Sequence, residues 1–368
     1  MKNNFLTTEF FLASNTTEGF SSVFDSLYTP EKEWFCYILK GGPGTGKSTL
    51  MKKIADKALL NGIKPELIHC SSDPDSLDAV IIPELKIAIA DGTAPHVLDP
   101  IYPGVSDVIV NLGDAWNRKT LSKSKEKIQY LCKKNSHYHK KSQRYLKACG
   151  RSFSELSKIV KESLNYKSLD AYCERLSKKL FKKINKNKDI CEHSEEKLKF
   201  ISAITPKGYV FFNNTLFNMS KKVFLIEDSY SVVGSYILKK IRHFALNSAH
   251  NVISCPSPFA PSEELNALFI PDLDIGFAVK NPKELSCIPK DSIYKKIKTK
   301  RFLIRENISG QKNIIKFNQK FCKETLNESI KNLNHALETH DELESIYIKS
   351  MNFSKINKTA DKLISAIF

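Results

Sequence analysis

The sequence predicts an α/β protein: two tandem parallel-sheet domains, each followed by a helical segment. Three observations lead there. Short apolar runs alternate with stretches of helical apolar spacing, as in strands connected through helices. A glycine-rich turn joins a buried strand at 34–39 to a helix in which Leu50, Met51, Ile54, Ala55 and Ala58 recur on one face. Finally, the first half returns in the second. FLASNTTEGF (11–20) aligns with FISAITPKGY (200–209), CYILKGGPGTGKSTLMKKIADKAL (36–59) with VFLIEDSYSVVGSYILKKIRHFAL (223–246), and AVIIPELKIAIADGT (79–93) with ALFIPDLDIGFAVKN (267–281). Three matched blocks, in order and at nearly constant offset, imply an internal duplication. The expected units are 1–116, a helical insertion at 117–199, a second copy at 200–311 and a helical segment at 312–368.

The glycine-rich turn, KGGPGTGKSTL at 40–50, fits G-x-x-x-x-G-K-[ST] with Gly41, Gly46, Lys47 and Ser48 in the fixed positions. A triphosphate can be wrapped by backbone N–H groups only where side chains do not intrude, and Gly41, Gly44 and Gly46 remove them and permit positive φ. The expected cradle is Gly41, Gly42, Pro43, Gly44, Thr45, Gly46, Lys47, Ser48 and Thr49. In it Lys47 reaches the β- and γ-phosphates, and Ser48 ligates Mg²⁺. The helix that starts there adds the positive end of its dipole. A glycine-rich turn without a ligand is the plain alternative, but strand, loop and helix stand in the order that the phosphate-binding motif requires.

Along the first copy, Asn61-Gly62 ends the helix and 66–70 reads as a second strand. A polar loop with Asp73, Asp75 and Asp78 follows, then a third strand at 85–90 that ends on Asp91. An apolar strand closed by Asp is the Walker B arrangement, so Asp91 is expected to share Mg²⁺ with Ser48. A turn residue before Gly92 is the ordinary alternative for it. The loop that follows is stiffened by Pro95, Pro100 and Pro103, and His96 is its one base suited to neutral pH, a candidate catalytic group as well as a candidate structural one. A fourth strand is expected at 107–112.

The second copy loses this chemistry. Gly41 becomes Asp228, Gly44 becomes Ser231, Gly46 becomes Val233, Lys47 becomes Gly234 and Asp91 becomes Val279; only Ser48 persists, as Ser235. Asp228 would repel phosphate, and Val233 puts a β-branched side chain where close backbone approach is needed. The expectation is one working site and one degenerate copy whose apolar positions keep the fold.

The helical insertion at 117–199 holds 20 Lys and 4 Arg against 9 Asp and Glu, a net +15 out of the chain's +17, whereas 312–368 holds 9 Lys against 7 acidic residues. The insertion is expected to be a hairpin or small bundle over the nucleotide domain. It is either a solvated face or a surface for nucleic acid or a protein partner. Its tyrosines suit base stacking and helix packing alike. Nine scattered cysteines without C-x-x-C pairs suggest reduced thiols, and Cys191-Glu192-His193 is too short a cluster for a metal. The beginning of the chain lacks the apolar core of a signal peptide, and no apolar run is long enough for a bilayer, so a cytoplasmic protein without a membrane partner is expected.

With GGPGTGKSTLMKKIA, CSSDPDSLDAVIIPEL, IADGTAPHVLDPIYPG and HDELESIYIKSMNF in view, the chain resembles a family of duplicated bacterial P-loop proteins labelled as ATPase or ATP-binding. The likeness covers essentially the whole length and implies tandem P-loop NTPase-like domains, ATP binding and a bacterial cytoplasmic setting, without a substrate. Relatives often keep a working second loop, from which this chain departs at Asp228, Val233 and Gly234. Three functions stay open: a Mg-dependent ATPase; a small-molecule kinase acting on a nucleoside or metabolite, with Arg118, Arg144 or Arg151 closing over the phosphate; and a nucleotide-gated module that binds nucleic acid or protein. No Glu follows Asp91, so Asp73, Asp75, Asp78 or His96 would have to orient water. Nothing in the sequence fixes the oligomeric state.

Overall fold

A computed structural model describes residues 7–181, 194–281 and 293–368. The first half contains strands β1 (Thr8–Phe10), β2 (Ala13–Thr16), β3 (Gly19–Ser22) and β4 (Phe35–Lys40), helix α1 (Lys47–Leu60), and strands β5 (Glu66–His69), β6 (Leu77–Ile82), β7 (Ile87–Asp91) and β8 (Asp107–Asn111). Helices α2 (Arg118–Lys123), α3 (Lys125–Glu162) and α4 (Tyr166–Leu180) follow. The second half contains β9 (Glu196–Leu198), β10 (Ser202–Thr205), β11 (Gly208–Phe211), α5 (Asn213–Asn218), β12 (Lys222–Glu227), α6 (Val232–Asn247), β13 (Val252–Pro256), β14 (Leu265–Ile270), β15 (Ile275–Lys280) and β16 (Lys295–Lys298). It ends with α7 (Arg305–Gly310), α8 (Lys312–Ile348) and α9 (Phe353–Ile367).

Each half builds the same six-stranded sheet, in the order β1-β5-β6-β7-β4-β8 and β9-β13-β14-β15-β12-β16. The sheets are mixed, which corrects the expectation of parallel sheets. β4 runs parallel to β7 and β8, but β6 is antiparallel to both β5 and β7. Connection length explains this. The single 3-10 turn Pro83–Leu85 joins β6 to β7, far shorter than the dozen or more residues that a parallel crossover needs. The sequence reading also merged β6 into the polar loop before it, although all six of its residues are buried.

A third, four-stranded sheet, β11-β10-β2-β3, is formed by one hairpin from each half. The hairpins are exchanged. Thr17, at the tip of the first, donates through N and Oγ1 to the carbonyls of Pro258 and Phe259, at 3.1 and 2.7 Å. Lys207, at the tip of the second, reaches Asp75 at 2.5 Å.

The helical segments are exchanged as well. α3 and α8 lie antiparallel as one strut, with Asn135 donating to the Ala336 carbonyl, Ser142 bonded to Ser329 and Ser152 to Asn318. From there α4 packs on α6 of the second half, through Tyr236 to Asp170, while α9 packs on α1 of the first half through Ala360, Leu363 and Ile367. The basic insertion therefore does not cover the domain it follows; the C-terminal segment does. Cys149 and Cys322 join α3 to α8 as a disulfide, against the expectation of nine reduced thiols. Cys36, Cys70, Cys132, Cys173 and Cys255 are free, whereas Cys191-Glu192-His193 lies outside the described residues. Among the described residues no helix is long and apolar enough to cross a membrane.

Candidate functional site

The first sheet delivers its chemistry to one edge. β4 and β7 are parallel neighbours, so their C-terminal ends open side by side, and the turn from β4 into α1 is the loop at 41–46. Gly44 and Gly46 adopt φ of 68° and 82°, the left-handed conformation that glycine enters most freely. Gly46 is the residue before the first turn of α1, whose first N–H groups have no partner within the helix. Thr45 is buried, and its hydroxyl donates to the Gly42 carbonyl at 2.9 Å, which fastens the turn from inside.

Lys47 folds back over the loop. Its ammonium donates to the carbonyls of Gly41 and Gly42 at 2.5 and 2.9 Å and stands 3.5 Å from Asp91 Oδ2. The other oxygen of Asp91 accepts from Thr93 N and Oγ1 at 2.9 and 2.6 Å. Lys47 and Asp91, far apart in sequence, are thus brought into contact. Ser48 Oγ accepts from Leu77 N at 3.0 Å, tying α1 to the start of β6.

His96 lies apart from this group. It is buried, stacked on Phe24 at 4.5 Å between ring centres, tilted against Phe20 at 5.2 Å, and its Nε2 is 3.4 Å from Asp78 Oδ2. Among the described residues no hydrogen bond or ion pair links His96 to Lys47, Ser48 or Asp91. The carboxylates of the 71–78 stretch are also engaged. Asp73 accepts from Ser76 Oγ and Asp75 N, Asp75 binds Lys207, and Asp78 is buried near the Cys70 thiol, whose pKa burial and Asp78 push well up. Of the arginines considered as lids, Arg144 and Arg151 sit on α3, one half of the strut, and Arg118 opens α2, two residues after Trp116.

The group that sequence reasoning missed comes from the other end of the chain. Glu344 on α8 accepts a hydrogen bond from Gly44 N at 3.1 Å, across 300 residues. Beside it, a Cβ added to Gly44 would come within 2.8 Å of the Ile348 side chain, and one added to Gly42 within 3.1 Å of the Trp116 ring. Tyr347 lies against Trp116 with ring centres 5.9 Å apart. The signal for this was the acidic HDELES stretch, which carries no position on its own. Asp341 of the same stretch lies close enough to Asp73 for the two charges to interact; burial first, then Asp73 and Glu338, raise its pKa.

The second loop is closed. Asp228 is fully buried, and its carboxylate accepts from Gly234 N at 2.8 Å and Tyr230 N at 3.0 Å. Burial pushes its pKa up while those N–H groups pull it down, and burial prevails. Asp228 therefore does more than repel an anion: it fills the cradle. α6 begins at Val232, two positions earlier than the alignment with α1 would place it, so the loop is tighter. Where Lys47 meets Asp91 in the first half, Gly234 meets Val279, and a Cβ on Gly234 would come within 2.7 Å of that valine. Ser235 Oγ accepts from Leu265 N at 2.8 Å, as Ser48 does from Leu77, which gives this serine a structural reason to persist. No protein-family model, no curated protein and no solved structure matches the chain.

Proposed function

We propose that the chain is an ATP-binding P-loop protein, a Mg-dependent ATPase with one working nucleotide site at 41–49 and a degenerate second copy. The observation that carries this reading is Lys47, folded over the glycine-rich loop onto the Gly41 and Gly42 carbonyls and 3.5 Å from Asp91. A cation there can neutralise β- and γ-phosphate oxygens, and the backbone N–H groups of such a loop supply directional bonds. The finer fold reading, tandem P-loop NTPase-like domains, rests on the motif and on the family resemblance of the sequence.

Ser48 and Asp91 fit a magnesium ion. The Ser48 oxygen has a lone pair beyond the one taken by Leu77 N–H, and among the described residues Asp91 Oδ2 faces Lys47 alone. Mg²⁺ is usually held by one or two protein oxygens, with phosphate and water completing its shell. When bound, it would neutralise charge developing on the phosphates. Lys47 would then swing from the Gly41 and Gly42 carbonyls toward phosphate, and the Trp116 ring beside Gly42 would limit water at the loop.

A second reading, a nucleotide-gated module for nucleic acid, is favoured by the exposed Lys133, Lys140, Lys141, Arg144, Lys147 and Arg151 along α3. The two readings part on turnover. Steady phosphate release from Mg-ATP without an acceptor, lost in Lys47→Ala, supports the ATPase; tight ATP retention with negligible release and salt-sensitive binding to nucleic acid supports the gated module. Failure to retain ATP at all contradicts both.

A further inference from the structure

We propose that the C-terminal end of α8 is a displaceable plug of the first loop, with the Glu344 carboxylate holding the place of a phosphate until nucleotide evicts it. The proposal rests on the reading of 41–49 as a nucleotide cradle and adds what controls entry to it.

Four observations lead to it. Glu344 Oε1 accepts from Gly44 N at 3.1 Å, and that N–H belongs to the set that would otherwise hold phosphate oxygens. A carboxylate and a phosphate compete for such a donor because both are anionic acceptors of N–H, and both cannot occupy it at once. Ile348, one turn along α8, closes on Gly44, so the contact is seated and not a passing one.

The third observation is the second loop, where a carboxylate fills the cradle too. There it is Asp228, carried by the loop itself and fully buried. In the first loop the carboxylate is carried by a separate helix and is only partly buried. One occupant is fixed and the other can leave. The fourth observation is asymmetry within the strut. Ser142 and Ser329 mark an offset of 187 between the two halves, and at that offset the counterpart of Glu344 is Ser157, a buried hydroxyl without a hydrogen-bond partner among the described residues. The carboxylate carried by the strut is present only where the loop has kept its lysine.

Eviction has a mechanical consequence. α8 runs 37 residues, roughly 55 Å at 1.5 Å per residue, from this loop to the second half, in contact with α3 along its length. Nucleotide that displaces Glu344 therefore shifts the end of a strut joining both halves, and its apparent affinity falls by the fraction of molecules in which the plug is seated.

The test is calorimetry on the full chain, with Mg-ATP and with inorganic triphosphate as a base-free probe, for wild type, Glu344→Ala, Glu344→Gln and the counterpart Ser157→Ala. The proposal expects about tenfold tighter binding of both probes in Glu344→Ala, the scale of one hydrogen bond to a charged group. A smaller gain is expected in Glu344→Gln, which keeps an acceptor without the charge, and none in Ser157→Ala. Equal or weaker binding in Glu344→Ala, with the wild type still binding, overturns the plug and leaves the nucleotide reading standing; loss of turnover at unchanged affinity would assign Glu344 to the chemistry instead and also overturns it. No binding by any of the proteins defeats the reading of the loop, and the plug with it.

Discussion

The hydroxyls of Ser142 and Ser329 meet at 2.7 Å, and the two residues are each other's counterparts, 187 positions apart. A residue bonded to its own repeat lies on a local two-fold axis. Asn15 and Ile204, register partners where β2 meets β10, lie on the same axis. Around it several backbone contacts between the halves recur as pairs. Asn117 N donates to Ser350 O and Ile304 N to Ser163 O; Asn352 N donates to Ala115 O and Asn165 N to Phe302 O. The chain is thus arranged like a dimer whose subunits exchange hairpins and helices, an isologous interface formed within one polypeptide. That exchange brings the C-terminal helices to the loop at 41–46.

The two matched serines separate structure from chemistry. Ser235→Ala removes the acceptor of the partly buried Leu265 N–H and should lower stability by about 1 kcal/mol in thermal or urea unfolding. Ser48→Ala should show a similar stability loss and, in addition, a weakened magnesium dependence of ATP binding. Identical nucleotide behaviour in the two variants would remove Ser48 from the metal shell.

Asp228 should matter to folding and not to ligand binding. Asp228→Ala leaves the N–H groups of Gly234 and Tyr230 without an acceptor in a buried place, so a loss of about 2 to 3 kcal/mol is expected in urea unfolding. Nucleotide stoichiometry should not change. A variant as stable as wild type would show that the carboxylate does not hold this loop.

Asp107 sets an acid limb. Burial works against its charge, but hydrogen bonds from Tyr28 Oη, Tyr102 N, Ser106 Oγ and Ile101 N prevail and hold it below the usual carboxylate range. A lowered folded pKa means that its stabilisation is complete above the unfolded value of about 3.9 and is lost as pH falls through the folded one. Asp107→Asn should be less stable by about 2 kcal/mol at neutral pH, and the gap should narrow below about pH 4. A gap independent of pH would contradict the assignment.

Lys199 and Glu66 form a buried ion pair between the halves, with Lys199 also set over the Phe10 ring. Removing one partner strands a buried charge. Lys199→Ala should cost about 3 to 5 kcal/mol, whereas replacing both residues with apolar ones of similar size should cost much less. Additive losses would show that the two charges do not depend on each other.

The duplication was legible because apolar positions persist where ligand positions do not: Val223, Leu225, Leu238 and Ile241 are buried in the second copy although its loop has lost Lys47. Lys47 and Asp91 could be placed together because strand order and motif both limit where they lie. β6 was not legible, since Asp78 interrupts its apolar run and it follows a polar loop. His96 was ambiguous because a lone histidine in a proline-rich loop looks the same whether it faces solvent or, as here, two phenylalanine rings. The exchange of helices was beyond sequence pattern, because periodicity shows that a helix has an apolar face and not which half covers it. Glu344 was hidden for the same reason.

The most direct measurement is the number of Mg-ATP molecules bound by one chain, taken by calorimetry on the wild type and on Lys47→Ala. One site in the wild type and none in the variant is the predicted result. Two equivalent sites, or undiminished binding without Lys47, would contradict a single working cradle at 41–49.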